Sequence, residues 1–293
     1  MRFGGAWTEQ KLEKLEKYLK AYRRIFDVNE KAQHFTTMYI DAFAGCGYRT
    51  EEAESIEPDE CLFPEASDEE THGLYRGSPR IALELSSKFD KYVFIDNDPN
   101  NIAELRDLKR EYGALSDSIT VYNEDANVKL GEICRTTDWT KHRAVTFLDP
   151  CGMQVGWELI ESVAATKAVD LWFLFPLGSS VMRLLTRNEL PRQGWSEALT
   201  NALGTEEWKE EFYSATGQLS LFGEPSEERR TATVDVVADF VVRRLRSIFA
   251  AVAPHPLILR NSRNSPIFML CFAAANEKGA ETAVRIARYL LEN

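Results

Sequence analysis

The sequence predicts an α/β fold, a mostly parallel sheet with helices on both faces. Three observations predict it. Five short apolar runs alternate with amphipathic segments, the pattern of strands buried on both faces and joined by helical crossovers. Each run closes on an acid or on a Gly/Pro/Ser turn. The chain then finishes with a long helix and two apolar runs around a polar turn, which read as a hairpin.

The elements follow in order. Trp7 to Phe26 is amphipathic, with Leu12, Leu15, Leu19, Tyr22 and Phe26 at spacings of three and four. Thr8 is its expected N-cap, and Lys11, Lys14, Lys17, Lys20, Arg23 and Arg24 are expected on a solvated face. Met38–Ile40 is the first strand, ended by Asp41 and the turn Ala42-Phe43-Ala44-Gly45-Cys46-Gly47. Ser78 is the expected cap of a helix that has Pro79 at its first position. The second strand, from Lys91, ends in Asp96-Asn97-Asp98-Pro99. Ile119–Tyr122 is the third, closed by Asn123-Glu124-Asp125-Ala126, and Arg143–Leu148 the fourth, closed by Asp149-Pro150-Cys151-Gly152. Val169–Phe175 is the fifth. From 187 to 230 the alternation breaks into two short helices and a loop. Ala232–Ala253 reads as one long helix, and Pro256–Leu259 and Pro266–Ala274 as the hairpin, before a last helix.

A chain of 293 residues with this single pattern is expected to form one domain, 1–293, with an N-terminal helix at 8–27, an acidic loop insertion at 48–76 and a helical insertion at 187–230. The net charge of −11 is local. Ten acids and no Lys or Arg lie between Thr50 and Thr71, and the rest of the chain is close to neutral. No apolar run is long enough to span a bilayer, and MRFGGAWTEQ lacks the core of a signal peptide. Five dispersed cysteines (46, 61, 134, 151 and 271) without a CxxC suggest reduced thiols. A cytoplasmic protein without membrane association is expected. The four histidines show no metal spacing, so no metal site is expected.

The stretch from Met38 to Gly47 organises the chemistry. An apolar strand that ends in Asp-x-Phe-x-Gly-x-Gly lets the backbone turn sharply and approach a ligand closely. Ligands of open α/β sheets bind at the carboxyl ends of strands, where strand order reverses. Acids recur at that edge in Asp41, Asp96, Asp98, Asp125 and Asp149. Capping of the helix that follows the strand is the structural alternative for each.

With these pieces laid out, the chain resembles a class I S-adenosylmethionine (SAM)-dependent methyltransferase. That resemblance implies a Rossmann-like, seven-stranded, mostly parallel sheet with a C-terminal β hairpin. More narrowly, YIDAFAGCG, GSPRIALEL, YVFIDNDP, FLDPCGMQV and the AVDLWFLFP run resemble the three-Cys-motif partner protein (TcmP) family, from Trp7 to the C-terminus. The resemblance implies SAM as cofactor, at the carboxyl ends of the first three strands. It places Phe43, Ala44, Gly45 and Gly47 in the SAM loop and Asp41 near the methionine amino group. Asp96 would take the ribose hydroxyls, with Asn97 and Asp98 beside it, and Asp125 with Ala126 the adenine edge.

Asp149-Pro150 stands where base amino-methyltransferases carry Asp/Asn-Pro-Pro-aromatic, so Asp149 and Pro150 are the expected catalytic pair, with Asp149 also at the cofactor. Here Cys151 replaces the second proline and Gly152 the aromatic, so a stacking ring would have to come from Trp157, Phe175 or another side chain. Pro150-Cys151 mimics the nucleophile pair of pyrimidine-C5 methyltransferases, but the residues after it do not match. The expected function is SAM-dependent methylation of nucleic acid. The alternatives are a small-molecule or protein methyltransferase, and a catalytically silent partner of a radical-SAM-like three-Cys-motif protein encoded nearby.

Overall fold

Five parallel strands carry the centre of the molecule: β1 (Thr36–Asp41), β2 (Lys91–Asp96), β3 (Ile119–Asn123), β4 (His142–Leu148) and β5 (Val169–Phe175). Three further strands complete an eight-stranded sheet, namely β6 (Ala251–Val252), β7 (Leu257–Arg260) and β8 (Pro266–Ala274). The computed structural model describes residues 5–46, 48–49, 75–215 and 228–293.

Strand order across the sheet is β3-β2-β1-β4-β5-β8, and β6 and β7 both pair antiparallel with β8 on its far side. β8 itself runs antiparallel to β5, with Met269 opposite Phe175 and Ala274 opposite Asp170. The chain winds outward from β1 through β2 to β3, then returns to the other side of β1 through β4. That reversal puts the topological switch between β1 and β4, where an open α/β sheet takes its ligand. This is the Rossmann-like class I methyltransferase arrangement. β6 is an addition to the seven expected strands.

Alternating strand residues feed two cores, one on each face. Met38, Ile40, Leu171, Phe173 and Phe175 pack with α4 (Ala126–Thr136), α5 (Trp157–Ala165) and α8 (Val234–Arg246). α6 (Gln193–Leu203) and α7 (Trp208–Phe212) join that layer through Leu199, Leu203, Trp208 and Phe212. Tyr39, Val145, Trp172 and Leu174 pack on the opposite face. Their partners are α1 (Gly5–Val28), α2 (Ser78–Glu84), α3 (Pro99–Glu111) and α9 (Ala280–Glu292).

Several local expectations are corrected. α1 begins at Gly5, so Thr8 lies inside it and is buried. Lys11, Lys14 and Arg23 are not solvated. They are 1%, 6% and 9% exposed, because α1 lies flush on the sheet and two of these cations meet polar partners there. Arg23 Nη1 donates to Thr37 Oγ1 at 2.6 Å, and Lys11 pairs with Asp149. The cap of α2 is Gly77, which leaves the Ser78 side chain free to face inward. The expected helix 232–253 stops at Arg246, because the following residues turn and extend to pair with Ala273 and Ala274. At the expected acidic insertion, Tyr48–Arg49 and Tyr75–Arg76 pair antiparallel, while the window 50–71 lies outside the described residues. In the 187–230 segment both helices form, and Tyr213–Ala215 pairs with Glu228–Arg230.

Candidate active site

The carboxyl edge at the switch point gathers most of the acids singled out from the sequence. Asp96, at the end of β2, is their hub. Its Oδ2 accepts from Gly45 N at 2.9 Å, and its Oδ1 accepts from Asp98 N at 2.8 Å and Asn101 Nδ2 at 3.1 Å. Gly45 makes this contact with φ +59°, a left-handed backbone that glycine adopts without strain. Ala44 N donates to Ile95 O at 3.0 Å, so the β1 turn is sewn to β2 through both backbone and side chain.

A cleft opens beside this stitch. Its walls include Ala42, Phe43, Asp96, Asn97, Asp125 and Ala126. Asp125 caps α4, its Oδ1 accepting from Val128 N at 3.1 Å, and it is exposed to the cleft. A carboxylate has lone pairs for further donors after one capping bond. Asp98 caps α3 by accepting from Asn100 N at 2.8 Å and does not line the cleft. Gly47 lies outside the described residues.

Asp41 is different. It is fully buried, where Tyr39 Oη donates to its Oδ2 at 3.1 Å. Burial, reinforced by the nearby charge of Asp149, pushes its carboxyl up to about 7. Its Oδ1 has no hydrogen-bond partner among the described residues. A buried acceptor left open is what a donor from a ligand or a water would satisfy.

Asp149 sits at the end of β4, with a side chain 15% exposed. Lys11 Nζ lies 2.5 Å from its Oδ2, reaching down from α1 across 138 residues of sequence. Lys11 also lies over the Trp7 ring, 5.0 Å from its centroid. The loop after Asp149 is braced from α4. Gln154 Oε1 accepts from Cys151 N at 3.0 Å, Asn127 Nδ2 donates to Gln154 O at 2.8 Å, and Gly156 N donates to Asn127 Oδ1 at 2.9 Å. Pro150 is buried under this loop, and Gly152 holds φ +76°.

Trp157 and Phe175 are 2% and 1% exposed, so neither can offer a ring face at this edge. Cys151 is exposed and Cys46 half-buried. No group of three His, Cys, Asp or Glu among the described residues could hold a metal ion. Sequence reasoning missed Lys11, Asn101 and Gln154. Gln154 lies within the motif stretches, whereas Lys11 is marked by nothing but its position one turn after Trp7.

No protein-family model and no curated protein matches the chain. Solved structures do. Protein LPL1258 from Legionella pneumophila aligns over 99% of this chain and 92% of its own, with TM-score 0.52 and 12% identity, which speaks to the fold. The N-terminal domain of EvdMO1, solved with SAH bound, covers 88% of this chain and 79% of its own at TM-score 0.36 and 8% identity. The strand order, with its switch at β1, defines the class: a class I SAM-methyltransferase-like fold. Among the described residues, no helix is long and apolar enough to cross a membrane.

Proposed function

We propose that this chain is a SAM-dependent methyltransferase that takes its cofactor at the carboxyl ends of β1, β2 and β3. One observation carries the reading. At the switch point, the Asp96 carboxylate is tied to the Gly45 backbone, and Asp96, Asp125 and Ala126 line one cleft with Phe43. These residues suit the group. Asp96 and Asn97 offer polar contacts to a ribose, and Asp125 offers an acceptor to an adenine amine. The open Oδ1 of buried Asp41 offers an acceptor to an ammonium, directly or through water. Bound there, SAM supplies an electrophilic methyl group.

The chain's own share is alignment, exclusion of water and an acceptor for a departing proton. Asp149 is the candidate acceptor, and Lys11 fixes which way its carboxylate faces. Phe43 and Asp149-Pro150 lean toward a nucleic-acid substrate. A second reading, a small-molecule or protein substrate, is favoured by Gly152 in the place of an aromatic and by the Lys11 contact on Asp149. Kinship with the three-Cys-motif partner family, and a radical-SAM-like partner, belong to the same proposal and rest on the sequence motifs.

Calorimetric titration with SAM and SAH tests the reading. Wild type should bind both, and Asp96→Ala should bind at least tenfold more weakly, because it loses the ribose acceptor and the Gly45 anchor together. Neither heat nor a thermal shift with wild type would end the proposal. Tritium transfer from labelled SAM to total RNA, DNA and lysate protein then sorts the substrates. Full transfer by Asp149→Ala would remove Asp149 from the mechanism.

A further inference from the structure

The carboxyl edge beyond β4 carries a second set of groups that the cofactor cleft does not use. β8 pairs with β5 so that Met269 faces Phe175, and residues 261–265 therefore project past the end of β5. Pro266 meets the segment that leaves β5 so closely that a Cβ built on Gly178 would lie 1.8 Å from Pro266 O.

The turn itself is Arg260-Asn-Ser-Arg-Asn-Ser265, and its own hydrogen bonds give it a fixed shape. Asn261 Oδ1 accepts from Arg263 N at 3.0 Å and from Ser265 N at 2.9 Å, while Arg260 Nη1 donates to Asn264 O at 3.0 Å. Arg260 and Arg263 are exposed, and no Asp or Glu occurs between Asp239 and Glu277. The acidity of the chain thus leaves this finger positively charged.

A short relay joins the base of the finger to the acceptor edge. The Phe268 ring centroid is 5.0 Å from that of Trp7, Lys11 Nζ is 5.0 Å from the Trp7 ring, and Lys11 pairs with Asp149. Trp7 keeps part of its surface in solvent, unlike Trp157 and Phe175. It is thus an aromatic ring near Asp149, reached through Lys11, where Asp-Pro-Cys-Gly has none.

We propose that this edge binds a single-stranded nucleic acid, Trp7 stacking an unpaired base beside Asp149 while Arg260 and Arg263 take its phosphates. The proposal deepens the methyltransferase reading and rests on it for the use made of the strand. Stacking requires a base outside a duplex, and guanidinium groups with Asn and Ser donors suit a phosphate backbone.

The two contacts are separable by salt. Phosphate contacts release counterions, so each one lost lowers the slope of log K against log salt by about 0.7 for a single strand. Stacking carries no such term. A labelled single-stranded RNA, and the same DNA, of about 20 nucleotides would exceed one site. Titrated by fluorescence anisotropy across a salt series, wild type should bind with a steep slope. Arg260→Ser/Arg263→Ser should flatten it by about 1.4. Trp7→Ala should weaken binding about tenfold at unchanged slope, and Trp7→Phe should recover most of the loss. Arg288→Ser, on α9, should change neither.

If neither strand binds at low salt, or if the double arginine variant keeps the wild-type slope, the surface is refuted. The arginine variant lies in an exposed turn, so the test stands even if Trp7→Ala fails to fold. SAM titration on the same preparation separates the two ideas. Strand binding without SAM binding refutes the methyltransferase reading, and SAM binding without strand binding refutes this surface.

Discussion

Asp41 and Asp149 stand at neighbouring strand ends, and Lys11 gives its charge to Asp149. Burial, with the Asp149 charge adding to it, lets Asp41 keep its proton far above the ordinary carboxyl value of 3.8, to about 7. Between those two values the folded chain holds a proton that the unfolded chain has lost, so stability falls as pH rises through that window. Asp41→Asn should melt at a higher temperature than wild type at pH 8 and draw level with it near pH 4, as read by circular dichroism. Part of the slope should survive in the variant, because burial also pushes Asp170 up to about 7. Lys11→Met leaves Asp149 without its cation at a largely buried site, at a cost of about 3 kcal/mol in urea denaturation. Lys11→Met with Asp149→Leu should recover most of that loss, since an apolar pair has no charge left to desolvate.

The elements show which parts of this architecture can be read from sequence. Strand β5 was expected at Val169–Phe175 and is found there, because a run buried on both faces is apolar at every position and its ends are marked by turn residues. The acids at the strand ends were legible for the same reason, and Asp98 and Asp125 show the capping that sequence alone could not separate from binding. α1 was legible as a helix but not in its contacts. Lysines at regular spacing read as a solvated face, and the partner that buries Lys11 lies on a strand end 138 residues away. Nothing local marks such a pair. Tyr18 likewise finds Asp170 at 2.6 Å, on the strand beneath it and 152 residues away. The abutment of Gly178 on Pro266 gives an element-scale prediction. Gly178→Ala should cost about 3 kcal/mol by chemical denaturation, because backbone and not a flexible side chain stands in the way of the methyl group. Gly113→Ala, with nothing within 4 Å of its Cβ, should be tolerated.

Across the whole molecule, the order of strands in space is not their order in the chain. β8, near the end of the sequence, covers the edge of β5 and supports β6 and β7. A chain ending at residue 250 would leave the apolar strand β5 as an open edge, an invitation to pair with other molecules. It should be recovered as aggregate by size-exclusion chromatography, while the full chain elutes as a discrete species. The fold class was legible at this scale because strand and helix alternate for most of the chain. The placement of Trp7 against Phe268 was not, because it depends on which sheet edge the first helix and the last hairpin come to share.

Helix α1 is made before the groups that hold it down: Thr37 follows closely, whereas Asp149 and Asp170 come 138 and 152 residues after their partners on the helix. During synthesis its inner stripe of Leu15, Tyr18, Leu19 and Tyr22 has no surface to meet. The pairing of Lys11 with Asp149 therefore waits for β4, and the first helix docks only on a sheet that already exists.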